Sequence, residues 1–194
     1  MLYWLGRFLF SVVFRSLFRL KVDGAENVPS DGPVIFAANH NSYADPPLVA
    51  CGVRRPVYFM AKKELFGIPV LGWLIKRTHA FPVDRAAADF SALNNAVNLL
   101  KAGNALLIFP EGTRHRKGKA RKLKNGVAML AVTTGARVVP VAILNSDRMS
   151  MLPRLTVKFA APVSFSAGRE YDSITEEVMF RIMSLAGDET AYKR

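Results

Sequence analysis

What most constrains this chain is a repeated unit: a short apolar run, a polar loop, then a stretch of helical periodicity. Val34–Ala38 and Ala105–Phe109 are wholly apolar runs of strand length, and Val57–Ala61 reads the same way. Residues 87–101 form the clearest helix, with Phe90, Leu93, Val97 and Leu100 at helical spacing and Gly103 as a stop. Pro46-Pro47 opens a helix through Cys51, since proline is tolerated in a first helical turn. Residues 126–134 read as a helix ending near Gly135, Val138–Leu144 and Leu155–Phe159 as strands, and Ile174–Leu185 as an amphipathic closing helix. Phe81-Pro82-Val83 suits a short edge strand, because proline cannot donate to a ladder. Between 64 and 76, Gly67, Pro69 and Gly72 leave room for a helix only in the later part. This alternation predicts α/β architecture with several parallel strand pairs.

Open α/β sheets place ligand sites just past the carboxyl ends of strands. Two of the runs lead into loops rich in chemistry, Asn39-His40-Asn41-Ser42-Tyr43-Ala44-Asp45 and Pro110-Glu111-Gly112-Thr113-Arg114. A histidine with a carboxylate partner is the minimum for general-base catalysis, and histidine is neutral near pH 7. Asp45 has two readings: N-cap of the helix that follows, or partner of His40. Residues five apart lie about 140° beyond a full helical turn, so the pair meets only across a turn. Asn39, Asn41 and Ser42 favour one. Gly112 permits a tight path at positive φ. Arg114 is either an exposed ion-pair partner or a charge-assisted ligand for a phosphate.

His40 and Asp45 match the His-x4-Asp motif of the glycerolipid acyltransferases, and Phe109 to Arg114 match their Phe-Pro-Glu-Gly-Thr-Arg motif letter for letter. Over roughly residues 22–145 the chain resembles the 1-acylglycerol-3-phosphate acyltransferase (PlsC-like) family. The resemblance implies an α/β sheet flanked by helices, with an added amino-terminal membrane element. It implies transfer of an acyl chain from an acyl thioester, acyl-CoA or acyl carrier protein, to the free hydroxyl of a lysophospholipid, lysophosphatidate first among them. His40 is then the general base, and Asp45 sets its tautomer. Ala61-Lys62-Lys63-Glu64-Leu65 resembles the family's Ala-Lys-x-Glu-Leu and maps a phosphate-binding lysine onto Lys62. Phe81-Pro82-Val83-Asp84-Arg85 resembles a block whose arginine contacts glycerol phosphate, which adds Arg85. Glu111, Gly112, Thr113 and Arg114 complete the expected substrate-binding set. His79 stands where the family's block opens on glycine, a departure that bears on the path of that loop. Val139-Pro140-Val141 matches the short Val-Pro motif, and Lys124-Asn125-Gly126 the Lys-x-Gly start of a helix. The mechanism requires no metal or organic cofactor.

The alternatives are another acceptor, glycerol 3-phosphate or a different lyso-lipid, or a non-catalytic basic protein of the membrane surface. Charge alone would not require His40, Asp45, Glu111 and Arg114, which weighs against the last. No Gly-x-Ser-x-Gly elbow supports a serine hydrolase.

A net charge of +12 asks for an anionic partner. No zinc-finger, homeodomain or RNA-recognition signature favours nucleic acid. The single cysteine, Cys51, excludes an intrachain disulfide, and histidines scattered at 40, 79 and 115 disfavour a metal site. The first twenty residues, MLYWLGRFLFSVVFRSLFRL, tip the choice toward an anionic phospholipid membrane. Arg7 and Arg15 bound a charge-free stretch too short to span a bilayer. Arg7, Ser11, Arg15 and Arg19 fall within one helical arc, while Trp4, Leu5, Leu9, Val12, Val13 and Phe14 face something apolar. This predicts an interfacial helix over residues 1–20 and an acyltransferase domain over 21–194, the alternatives being a helix that packs on the domain or an uncleaved signal-like or spanning segment. With no clean signal-cleavage site, the expected location is the cytoplasmic face of the cell membrane. The basic run from 114 to 124 is a solvated loop or a landing site for anionic headgroups or an acidic donor.

Overall fold

A computed structural model describes residues 1–84, 89–114 and 123–187. Seven strands form one sheet: β1 (Lys21–Asp23), β2 (Val34–Ala38), β3 (Val57–Lys62), β4 (Ala80–Val83), β5 (Ala105–Ile108), β6 (Arg137–Leu144) and β7 (Thr156–Phe159). Their spatial order is β1-β7-β6-β2-β5-β3-β4. The five strands from β6 to β4 run parallel, while β7 is antiparallel to β6 and pairs β1 in parallel. Six helices accompany them: α1 (Leu2–Ser16), α2 (Asp45–Gly52), α3 (Leu71–Arg77), α4 (Phe90–Lys101), α5 (Gly126–Thr134) and α6 (Tyr171–Ala186). The expected α/β sheet flanked by helices is therefore present.

Strand β2 is buried at all five positions and splits the core by its side-chain period of two. Phe36 and Ala38 pack with Phe14 and Phe18 and with Leu48 and Val49 of α2. Ile35 and Ala37 pack with Leu100 of α4, Leu130 of α5, and Ile174 and Val178 of α6. Pro140 lies within β6, a central strand. Its carbonyl accepts from Ala160 N–H at 2.9 Å just past β7, so the missing donor falls where that ladder has ended. The edge position expected for Phe81-Pro82-Val83 is met by β4. Strand β1 has no apolar run to announce it; pairing with β7 makes it a strand.

Helix α1 docks on the domain. Tyr3 and Phe14 are buried, and the Tyr3 hydroxyl accepts from Val57 N–H at 3.0 Å. The apolar arc is thus divided: Phe14 joins the core, and the rest of the arc stays on the outer surface. Arg7 and Ser11 are only half-exposed, so the basic arc is not one solvated stripe; the Arg7 guanidinium lies 5.2 Å over the Trp4 ring. The cause is the line of Tyr3, Phe14 and Phe18, whose burial sets the helix rotation. Trp4, Leu5, Phe8, Leu9, Val12, Val13 and Leu17 remain exposed. Among the described residues no helix is long and apolar enough to cross a membrane.

The loop before β4 keeps a glycine-like path without glycine. His79 has φ 64. Its ring stacks between Tyr3, at 4.5 Å, and Tyr58, at 4.7 Å. Burial pushes its imidazole below the ordinary histidine pKa. Left-handed backbone costs about 1–2 kcal/mol at an L-residue, and each ring pair returns about 0.5–1.5 kcal/mol. His79→Ala keeps the strain and loses both stacks, whereas His79→Gly loses the stacks and the strain. The alanine variant is thus expected to be less stable than the glycine variant by about 1 kcal/mol in urea unfolding. Because the folded pKa lies below the unfolded value, the wild type also loses stability as pH falls below about 6.5, and neither variant should show that increment.

Candidate active site

The parallel strands put the carboxyl ends of β2, β5, β3 and β4 on one edge of the sheet. The loop after β2 is latched before it turns. Asn39 is buried, donates through Nδ2 to the Ile143 carbonyl at 2.8 Å and accepts the Ile143 N–H on Oδ1 at 2.7 Å. Its side-chain amide thus mimics one more residue of pairing with β6. Sequence reasoning assigned Asn39 only a turn-shaping part; a strand partner a hundred residues away leaves no local signal.

His40 follows at once. Its Nδ1 lies 2.9 Å from Asp45 Oδ2, and its side chain is 9% exposed. The same Asp45 oxygen accepts from Asn41 N–H and Ser42 N–H, each at 2.7 Å. Asp45 is the first residue of α2 and makes no cap bond to that helix. Of its two sequence readings, the turn partner of His40 is the one present. The carboxylate is fully buried, and the three donors account for its place there. Nδ1–H donates to the carboxylate in the neutral tautomer, which leaves Nε2 as the nitrogen for a proton from outside.

The second loop closes on the first. Glu111 is buried and its Oε1 accepts His40 N–H at 3.3 Å. The Phe109 ring stacks on the His40 ring at 3.9 Å and 15°. Phe109 is thus a wall of the site, a role its place at the head of the hexapeptide did not disclose. Gly112 has φ 67, and a Cβ there would come within 3.0 Å of the Lys124 side chain. Lys124 N–H donates to the Pro110 carbonyl at 2.8 Å, binding the start of α5 to this loop. Arg114 is exposed at the rim; its guanidinium lies 3.7 Å over the Tyr43 ring and donates to the Tyr43 hydroxyl at 2.9 Å. Tyr43, from the first loop, was not singled out by sequence. Thr113 is exposed beside it.

Lys62 ends β3 on the same edge, but its ammonium pairs with Glu64 at 2.9 Å, and that bond lowers the Glu64 carboxyl pKa. The structure therefore joins His40, Asp45, Glu111 and Phe109 directly, links Arg114 to them through Tyr43, and leaves Lys62 committed to a neighbour. Arg85 and most of the basic run, 115–122, lie outside the described residues. An apolar cavity of about 230 Å³ opens beside Phe109 and Gly112, walled by Met60, Val83, Leu93 and Leu107. A larger depression of about 510 Å³, lined by Tyr58, His79 and Asn98, lies where β3 and β4 begin, away from His40.

A buried His–Asp pair at the carboxyl edge of a parallel sheet is the kit of a general base, and comparison with known proteins gives its class. The family model described as Acyltransferase matches residues 19–144, and the chain belongs to that family. It is similar to the solved structure of the 1-acyl-sn-glycerophosphate acyltransferase PlsC from Thermotoga maritima, with a TM-score of 0.78 and 30% identity over 99% of this chain and 80% of that one. It is 36% identical to the 1-acyl-sn-glycerol-3-phosphate acyltransferase of Bacillus subtilis, over 63% of this chain and 61% of that protein. It is 30% identical to a chloroplastic enzyme of the same name from Arabidopsis thaliana, over 72% and 40%. A lyso-ornithine lipid O-acyltransferase of Pseudomonas aeruginosa is 34% identical over 57% of this chain and 43% of its own length. The chain thus spans about two fifths to three fifths of these curated relatives.

Asn39→Ala leaves both backbone groups of Ile143 without their partner in a buried setting. Unfolding in urea is expected to show a loss of about 2–4 kcal/mol; a loss under about 0.5 kcal/mol would mean that water replaces the amide freely.

Proposed function

We propose that this protein transfers an acyl chain from an acyl thioester, coenzyme A or acyl carrier protein, to the free hydroxyl of lysophosphatidate, yielding phosphatidate. The observation that carries this reading is the 2.9 Å contact of His40 Nδ1 with buried Asp45, tied to the second loop by Glu111. His40 Nε2 takes the hydroxyl proton as the oxygen attacks the thioester carbonyl. The tetrahedral intermediate collapses, the C–S bond breaks, and the imidazolium returns its proton to the departing sulfur. Asp45 holds the tautomer and stabilises the imidazolium, and the substrate hydroxyl stands where a serine would in a triad. No acyl-enzyme forms, and no cofactor beyond the co-substrate enters.

Arg114 supplies a charge-assisted bond to the acceptor phosphate once it leaves Tyr43, with the Gly112–Thr113 backbone alongside. Lys62, after release from Glu64, adds a second cation, and the family resemblance adds Arg85. The apolar cavity beside Phe109 is the size and chemistry for part of an acyl chain. The outer face of α1 seats the protein on anionic phospholipid at the cytoplasmic face of the membrane, where the acceptor resides. The relative named for lyso-ornithine lipid supports a second acceptor class, an amino-acid lyso-lipid.

The test is phosphatidate formation from acyl thioester and lysophosphatidate. His40→Ala is expected to lower kcat by at least about a hundredfold with vesicle binding retained; equal loss of both would remove the base assignment. Arg114→Ala is expected to raise KM for lysophosphatidate by about tenfold or more, with a smaller effect on lyso-ornithine lipid. An unchanged KM would take Arg114 out of the phosphate site.

A further inference from the structure

Between β3 and α3 the chain forms a tight tip that exposes Ile68, Val70, Leu71, Trp73 and Leu74. Val70 is the extreme case, 79% exposed with φ 62 and ψ −56. Leu71 N–H donates to the Pro69 carbonyl at 2.6 Å, so Val70 is the centre of a γ-turn of the rare, strained hand. For a β-branched residue this backbone is a genuine outlier. Such strain persists only where the surroundings over-determine it. Gly72 N–H donates to the Ile68 carbonyl at 2.7 Å and Leu74 N–H to the Val70 carbonyl at 2.9 Å. A Cβ at Gly72 would collide with the Phe66 carbonyl, so only glycine lets α3 start this close. These local bonds hold the turn, and they hold the Val70 side chain out in solvent instead of in the core.

The charge around the tip says what it faces. From Leu65 to Val83 the sequence has no acidic residue. Lys62, Lys63, Lys76 and Arg77 are exposed around it; of the acids nearby, Glu64 is paired with Lys62, and Asp89, within the field of Lys63, accepts from the Asp84 and Ala92 N–H groups. The Arg77 guanidinium lies 4.7 Å over the Trp73 ring. Apolar tip, tryptophan and basic collar together match an element seated at the boundary of headgroups and acyl chains.

Position gives the tip a role. It follows the carboxyl end of β3, the edge that carries His40. Helix α3 leads back to the opposite edge, where His79 is stacked on Tyr3 in the first turn of α1. Helix α3 thus runs between the tip at one edge and the first turn of α1 at the other. We propose that the Ile68–Leu74 tip is a second membrane foot, seated with the outer face of α1 in one anionic phospholipid bilayer and turning the His40 edge toward the headgroups. This rests on the reading that α1 lies at a membrane. One contact along a helix leaves the domain free to roll about that helix; a second contact at the His40 edge removes that freedom.

The chain holds only two tryptophans, Trp4 in α1 and Trp73 at the tip, so each foot carries its own reporter. The full chain is prepared as Trp4→Phe and, separately, as Trp73→Phe, and mixed with vesicles of equal phosphatidylglycerol and phosphatidylcholine, with and without brominated acyl chains. Both tryptophans are expected to shift to the blue and to be quenched by the brominated lipid. In the wild type, Ile68→Ser with Val70→Asn should raise the lipid concentration for half-binding by about tenfold or more. Asparagine tolerates positive φ, so the unfolding temperature should not fall. Quenching of Trp4 without Trp73 would overturn the proposal and leave the α1 reading standing. Quenching of Trp73 without Trp4 would overturn the α1 reading and, with it, the two-footed seating. A concentration-dependent shift of Trp73 without lipid, accompanied by a sedimenting dimer, would assign the tip to a second copy and overturn the proposal.

Discussion

One buried oxygen carries the site. Asp45 Oδ2 accepts from His40 Nδ1, Asn41 N–H and Ser42 N–H, and so orients the imidazole on which Phe109 stacks. A carboxylate so deeply buried is tolerated only because three donors converge on it. It therefore sets the loop as much as it serves the histidine. The loop depends in turn on β2, whose five buried residues pair with β5 on one side and β6 on the other. Asn39 extends that pairing by a side chain, so His40 departs from a point without slack.

The same sheet edge explains why two separate motifs act as one. Strand β5 delivers Phe109 and Glu111 against His40, one through its ring and one through a hydrogen bond to the backbone. Parallel neighbours ending on a common edge make this meeting a consequence of topology. Lys124 and Tyr43 then bind the second loop to the start of α5 and to the first loop. Arg114, left at the rim, is a cation able to exchange a tyrosine for an anionic group.

Helix α1 belongs to the core on one side and to something outside on the other. Tyr3 and Phe14 anchor it, and Tyr3 also steadies His79 in a backbone conformation that glycine would adopt freely. The face left over is apolar. The division joins an exposed apolar face firmly to the sheet that carries His40.

The sequence by itself determined the strand–helix alternation, the parallel core, the identity of His40 and Asp45 and their meeting across a turn, and the glycine-dependent path at Gly112. These follow from local periodicity, turn chemistry and the two motifs. It left open where Phe14 packs, since amphipathic spacing defines an apolar arc without saying which part of it meets the domain. It missed β1, whose strand exists through β7 alone, and the parts played by Asn39, Tyr43 and Phe109, whose partners are remote in the chain. The tertiary structure alone decided these, and it alone put Lys62 beside Glu64 and Val70 in a strained turn. Lys62 and Val70 answer to local backbone geometry; for the others the cause is contact across large sequence separation: a hydrogen bond to Ile143, a guanidinium over Tyr43, a ring over His40. No local pattern encodes such contacts until the sheet has brought the segments together.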